Sequence, residues 1–459
     1  TPGSSTTAVT GKVENGPLQG AWAFLDYHIG NTGAGDGVYD AATEMRVLTG
    51  GTDATLGAGS YELSATKTGY TLVATTTAET MDTATGAAYG AGVTLKAPEG
   101  ATMVTPNTTL VESIIAADKA LGSASTGLTI EAAAASVAKA LGFEGTNLMT
   151  FSAYADQTGF TDAQKETALQ VQLSNNKIMT VVNSFAAAAE GSGMSEGAAF
   201  DLAIGSLVSV VETKVASGAA LSFTDDLDEI TAAVQADVKT YAAANTEVII
   251  DTDDFDTVAT SAAAAVSNVV TKIDTITLAD IEAGTDNRAD IFSVVSVLAE
   301  QVQTAAENIK DGTATTVSIA MTDAAEVTAA VSNKAPTSLA LSKSTIAEDA
   351  TSLDVGTVTT TDADDDTHSY TIAGGTDAAS FSINETTGVL SLKAQPDFET
   401  QPSYEVAVKT QDAGGKAKVE TFTVSVSDVD EAPTLTVPTG GLVTEDAATS
   451  TITGSLVGS

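Results

Sequence analysis

The feature that most constrains this chain is an offset of 97 residues that recurs near its end. Pro336 and Pro433 stand 97 positions apart, and Ile346-Ala347-Glu348-Asp349-Ala350 is echoed at the same distance by Val443-Thr444-Glu445-Asp446-Ala447. A repeat at fixed spacing means one structural unit used again, so the C-terminal part must hold one complete module of about a hundred residues and the start of a second. Between them runs Asp428-Val429-Asp430-Glu431-Ala432-Pro433. Three carboxylates closed by a proline that cannot donate a backbone hydrogen bond read as a stiff, charged connector.

At 459 residues the chain is too long for one core and suggests three or so domains. Its 60 acidic and 19 basic side chains give a formal net charge of −41. That balance excludes nucleic acid, which requires Lys/Arg stripes, and an anionic membrane surface as partners. Self-repulsion of this size is relieved by divalent cations or salt, and calcium is the obvious candidate. The absence of cysteine removes disulfides and thiolate metal sites. No apolar run reaches the roughly 18 residues of a membrane span, and Thr1-Pro2-Gly3-Ser4-Ser5 lacks the basic and apolar parts of a signal peptide. The sequence is expected to be a mature or trimmed piece of something longer, since it stops inside the second module.

Residues 1–100 read as a small β-module. Runs at Ala8–Val13, Ala21–Leu25, Tyr61–Ala65, Tyr70–Ala74 and Ala91–Leu95 are separated by Gly and Asn clusters, the pattern of an antiparallel sandwich. Trp22 and Phe24 alternate with small residues and are expected to point into its core. Between the second and third runs, Asp26, Asn31, Asp36, Asp40 and Glu44 are spaced among glycines. A calcium loop using Asp36 and Asp40 and a solvated turn both fit that spacing, which is looser than an EF-hand.

From 101 to 310 the texture becomes alanine-rich and helical, starting at Thr105-Pro106, where proline suits the first turn. Helices are predicted at 107–121, 129–141, 161–190, 195–216, 225–244, 253–273 and 288–310. Leu202, Leu207, Val211 and Val215 form one apolar stripe; Ile291, Val294, Val295, Leu298, Val302, Ala305 and Ile309 form another. Alanine-lined stripes bury little area each, so this domain needs the β-module or another subunit beside it. Residues 311–334 read as a connector with a strand-like run, Thr315–Met321, and an alanine-rich turn. Residues 335–431 then alternate with period two, at Leu339, Leu341; Tyr370, Ile372; Leu390, Leu392; Tyr404, Val406, Val408; and Phe422, Val424, Val426, the pattern of a β-sandwich. Residues 432–459 begin the second repeat. The expected fold is therefore multidomain α+β.

The ordered carboxylates of 335–431 carry a resemblance. Glu348, Asp362-Ala363-Asp364, Asp397-Phe398-Glu399, Asp412 and Asp428-Val429-Asp430-Glu431-Ala432-Pro433 follow one another as in bacterial cadherin-like repeats, and Phe381-Ser382-Ile383 with Thr387-Gly388-Val389-Leu390 is similar to another recurrent stretch of them. The chain departs from the pattern where Phe398 replaces an arginine, where Gln411-Asp412 lacks the alanine of Ala-x-Asp, and where Asp430 stands in place of an asparagine. The resemblance implies an immunoglobulin-like sandwich with calcium between consecutive repeats. Glu348, Asp397, Glu399, Asp428 and Asp430 would serve the lower junction, and Asp362, Asp364 and Asp412 the upper one, where Lys334 argues against a full site. Five carboxylates converging at one end would repel without a cation taking six to eight oxygen ligands. The partner acids of the second repeat are missing: the position 97 after Asp362 is Ser459. Thr105-Pro106-Asn107-Thr108-Thr109-Leu110, with the β-module before it, resembles the segment ahead of such repeats in large bacterial surface proteins.

Catalytic patterns are thin. His28 and His368 lie in unrelated modules, no Gly-x-Ser-x-Gly, His-Glu-x-x-His or Walker pattern occurs, and Asp225-Asp226 and Asp253-Asp254 stand where helix dipoles explain them. The chain is expected not to be an enzyme. It reads as a calcium-dependent extracellular structural or adhesive protein of the bacterial surface, associating with itself into a filament, matrix or surface layer. Cell-surface or matrix glycans are further candidate partners, and no membrane insertion is expected. The other reading left standing is the non-catalytic, carbohydrate-engaging region of a larger secreted enzyme.

Overall fold

The computed structural model describes residues 7–28, 37–50, 57–89, 92–364, 367–430, 434–436 and 455–457. They fall into two compact units, the first drawn from Thr1–Ser338, Thr361–Thr367 and Gln411–Val419, the second from Leu339–Thr360, His368–Thr410 and Glu420–Ser459. The fold is mixed α+β: N-terminal strands, a central helical region and a C-terminal β-sandwich.

The first unit begins with β1 (Thr7–Val13), β2 (Leu18–Gln19), β3 (Trp22–Tyr27), β4 (Arg46–Leu48), β5 (Ser60–Ala65), β6 (Tyr70–Thr75), β7 (Met81–Asp82), β8 (Ala87–Ala88), β9 (Thr94–Pro98) and β10 (Met103–Val104). They form sheets in the orders β10-β1-β5, β4-β3-β6-β9 and β2-β7-β8, with β1 and β10 parallel. In the second sheet Ala23 pairs with Ala74 and Leu25 with Leu72, and these in turn pair with Leu95 and Ala97, so one face is a continuous small and aliphatic surface. That face joins the main core. Trp22 and Phe24 lie on the opposite face, contrary to expectation. Phe24 is buried there edge-on against Tyr39, and Arg46 stacks 4.1 Å from the centroid of Trp22. Alternation assigns two faces but not which of them meets the helices; here the flatter face does.

Helix α1 (Pro106–Ala120) starts at Thr105, whose Oγ1 accepts from Thr108 N while Thr108 Oγ1 accepts from Thr105 N, a reciprocal cap. Thr109 Oγ1 accepts from Lys96 N on β9, and Asn107 N donates to Asn175 of α3 (Asp162–Gly191). The Thr-Pro-Asn-Thr-Thr segment thus ties sheet to helices. One buried apolar cluster runs from Val13 to Val331 through both the β-module and the helices. Around α3 pack α1, α4 (Glu196–Ser217), α6 (Thr252–Ile273) and α8 (Arg288–Lys310), with α2 (Ile130–Ala140), α5 (Leu227–Ala244), the short α7 (Leu278–Glu282) and α9 (Ala324–Ser332) filling in. Alanine and glycine let the axes close in: a Cβ added at Gly191 would come 2.6 Å from Ala306 Cβ and 2.6 Å from Gln303 O on α8.

Two readings of the connector are corrected. Residues 315–321 form no strand. Ile319 and Met321 are buried against the helices, and the backbone there is satisfied by side chains, Asn268 donating to Met321 O and Thr322 O and Gln301 accepting from Met321 N. The alanine-rich turn is the helix α9, whose first turn is capped by Asp323.

The second unit is a sandwich of two four-stranded sheets. Its strands are β11 (Ser338–Leu341), β12 (Thr345–Ala347), β13 (Asp354–Thr361), β14 (His368–Gly374), β15 (Phe381–Ile383), β16 (Val389–Leu392), β17 (Ser403–Asp412) and β18 (Ala417–Ser427), in the orders β11-β13-β16-β15 and β12-β18-β17-β14. The alternating residues Leu339, Tyr370, Leu390, Leu392, Val406, Val408 and Val424 meet in its core with Ile346 and Phe381. Gly388, at φ +69°, turns the chain into β16 where a Cβ would lie 2.4 Å from Val358 O. Beyond it β19 (Thr434–Thr436) and β20 (Ser455–Val457) pair antiparallel. Glu431–Pro433 of the connector and Glu445-Asp446 of the second repeat lie outside the described residues.

Candidate metal centre

At one end of the sandwich β12 runs parallel to β18, with Ala347 paired to Ser427. Glu348 and Asp428 therefore leave the sheet side by side. The third element there is the loop before β17, where Asp397 closes a turn on Thr400, its Oδ1 accepting from Thr400 N at 3.0 Å and its Oδ2 from Thr400 Oγ1 at 2.8 Å. Those bonds, the hydroxyl's foremost, hold the Asp397 carboxyl below the usual range. The same turn places Glu399 next to it.

Glu348 organises the three. It is only 6% exposed, and its Oε2 accepts from Phe398 N at 2.8 Å while its Oε1 accepts from Val429 N at 2.5 Å. Gln395 Nε2 donates to its main-chain oxygen. One carboxylate thus pins both the Asp397–Glu399 loop and the segment leaving β18. Ligand atoms of Glu348, Asp397 and Glu399 lie within 4.8 Å of one another. An all-carboxylate set that close suits a hard, oxygen-seeking divalent cation, which would relieve the repulsion of the three charges. Asp428 and Asp430 flank Val429 and are exposed; their carboxylates do not join that group.

The other expected ligands lie elsewhere. Asp362, Asp364 and Asp412 belong to the first unit. Asp412 Oδ1 accepts from Lys416 N and its Oδ2 from Asn333 Nδ2, both at 2.8 Å, and Asp364 Oδ2 accepts from Lys334 N at 2.5 Å. Asp40 accepts from Ala42 N and Thr43 Oγ1, capping its own turn, and Glu44 accepts from Tyr27 N and Asp40 N; Asp36 lies outside the described residues. Lys416 is a further residue of this region. After Asp412-Ala413-Gly414-Gly415 it reads as a solvated hairpin lysine, yet it is 1% exposed. No local signal marks that burial. His28 ends a different chain of bonds, its Nε2 3.0 Å from Thr71 Oγ1, which donates to the buried Glu112.

With this geometry in hand, comparison with known proteins is specific for one part of the chain. Residues 342–427 match the cadherin domain. That part is a cadherin-like domain, and the sheets described above are its sandwich. Solved structures similar to it include human protocadherin-24 EC1-2 (24% identity, 22% of this chain and 48% of that one, TM-score 0.20) and Drosophila N-cadherin EC1-3 (26%, 21% and 35%, 0.19). Protocadherin gamma B2 domains 1–5 are also similar (26%, 22% and 21%, 0.19). The chain spans less than half the length of each. No curated protein matches it.

Proposed function

We propose that the chain is part of an extracellular, non-enzymatic structural or adhesive protein of a bacterial surface, in which calcium stiffens the run of chain leaving the cadherin-like sandwich. The observation that carries this is the convergence of Glu348, Asp397 and Glu399 beside Val429, at the end where the sandwich passes into Asp428-Val429-Asp430. Calcium held by the three carboxylates would supply charge neutralisation and a fixed cross-link between the Asp397–Glu399 loop and the segment that Glu348 binds through Val429 N. The protein's own part is to pre-position the ligands: Phe398 N and Val429 N aim Glu348, and Thr400 aims Asp397. The acidic balance of the whole chain favours the same cation. Self-association into a filament, matrix or layer, with surface glycans as further partners, extends this reading to the assembled protein. Among the described residues no helix is long and apolar enough to cross a membrane.

The test is calcium titration followed by thermal unfolding. A ligand bound only by the folded state at a hundred times its dissociation constant stabilises by about 2.7 kcal/mol. The melting temperature of the sandwich is expected to rise with calcium, and Asp397→Asn with Glu399→Gln to remove most of that rise. An unchanged calcium response in the double variant refutes the assignment.

A further inference from the structure

The first unit contains a second place where acids gather, and a cation already sits in it. Lys416 is almost fully buried, and its Nζ donates to Asn333 O at 2.7 Å and to Asp290 O at 3.3 Å. Lysine is seldom buried to this degree, because a desolvated ammonium is costly unless acceptors surround it. Here two main-chain oxygens accept from it, and the charges of Asp290, Asp412 and Asp364 act on it. Asp412 is bound to Lys416 N and Asn333 Nδ2, Asp364 to Lys334 N, and Asp290 Oδ2 accepts from Lys334 Nζ at 2.6 Å. Main-chain carbonyls backed by carboxylates are the ligands a hard cation would use.

We propose that the Lys416 ammonium takes the place of a bound metal ion among Asp290, Asp364 and Asp412, so that this seam of the first unit is held without divalent cations. A divalent ion added there would face the fixed charges of Lys416 and Lys334 within the same few residues and would have to displace existing hydrogen bonds. The lock joins four places distant in sequence: Asp290 at the start of α8, residues 333–334, Asp364 and the hairpin tip at Asp412–Lys416. Response to calcium is thereby confined to the Glu348 end.

Hydrogen exchange of the full chain, followed peptide by peptide in calcium and in EDTA, tests this. Peptides covering 411–419 are expected to exchange at the same rate in both, whereas those covering 395–401 exchange faster in EDTA. The two readings separate: an unresponsive 395–401 segment overturns the calcium proposal alone, and a 411–419 segment that loses protection in EDTA overturns the lock. Lys416→Met keeps the apolar stem and removes the charge; it is expected to speed exchange at 411–419 at least tenfold in both buffers. Wild-type protection there in the Met variant in EDTA also overturns the lock.

Discussion

Glu348 does two jobs that mutation can separate. As an acceptor it satisfies Phe398 N and Val429 N, and as a carboxylate it completes an acidic cluster. Glu348→Ala leaves two backbone donors without their partner and is expected to cost about 1–3 kcal/mol even in EDTA. Glu399→Gln, removing a charge from an exposed site, is expected to leave stability in EDTA within about 0.5 kcal/mol and to weaken the calcium response. Denaturant melts in EDTA and in calcium distinguish the two. The order Glu348, Asp397, Glu399 was legible because Asp-x-Glu and an isolated glutamate survive as a pattern. The exclusion of Asp428 and Asp430 from the group was not, since the direction of an exposed side chain depends on the strand end it follows. Glu190 is a residue of another kind. Burial first, then Glu196 and Glu307, push its carboxyl up to about 7. Between pH of about 4.5 and about 7 the folded state holds a proton that the unfolded chain has lost, so stability falls as pH rises through that window. Glu190→Gln should match the wild type at pH 4 and exceed it at pH 8 by about 1.5 kcal/mol, roughly half the full value of the shift because the group is only half buried.

At the scale of elements, the helices were legible and their contacts were not. Predicted bounds of 107–121, 161–190, 195–216 and 253–273 fall within a residue of α1, α3, α4 and α6, because caps and apolar stripes are local signals. The helix expected at 225–244 starts at Leu227: Asp226 is drawn instead to Lys214 Nζ at 2.8 Å and to Ser222 N. The conformation of 315–321 is not legible locally because its backbone partners, Asn268 and Gln301, sit on α6 and α8, far away in sequence. Two substitutions probe the elements. Thr105→Ala removes one half of the reciprocal cap of α1 and is expected to destabilise the first unit by about 1 kcal/mol in denaturant melts. Gly191→Val drives a branched side chain into α8 backbone and should cost about 1–3 kcal/mol.

At the scale of the whole molecule, net charge and calcium are expected to act together. Neutralising carboxylates at the Glu348 end lowers the repulsion that keeps copies of a −41 chain apart. Light scattering at fixed protein concentration should show mass increasing with calcium and returning on chelation, and electron microscopy in the same buffers should show whether the product is a filament or a layer. A monomer at high concentration in saturating calcium counts against self-association.

What the sequence by itself determined are the features carried by neighbours a few positions apart: period two in the sandwich, period 3.6 in the helices, the Thr105-Pro106 start and the 97-residue offset. Tertiary structure alone decided which face of β3 meets the helices, that the β-module and helices share one core, and which acids stand together. Glu348 meets Phe398 across 50 residues and Val429 across 81, and Lys416 meets Asp290 across 126. Such groupings depend on strand pairing and helix packing over the whole chain, and no local spacing encodes them. Nor does any local spacing encode the burial of Lys416 beside Asp412.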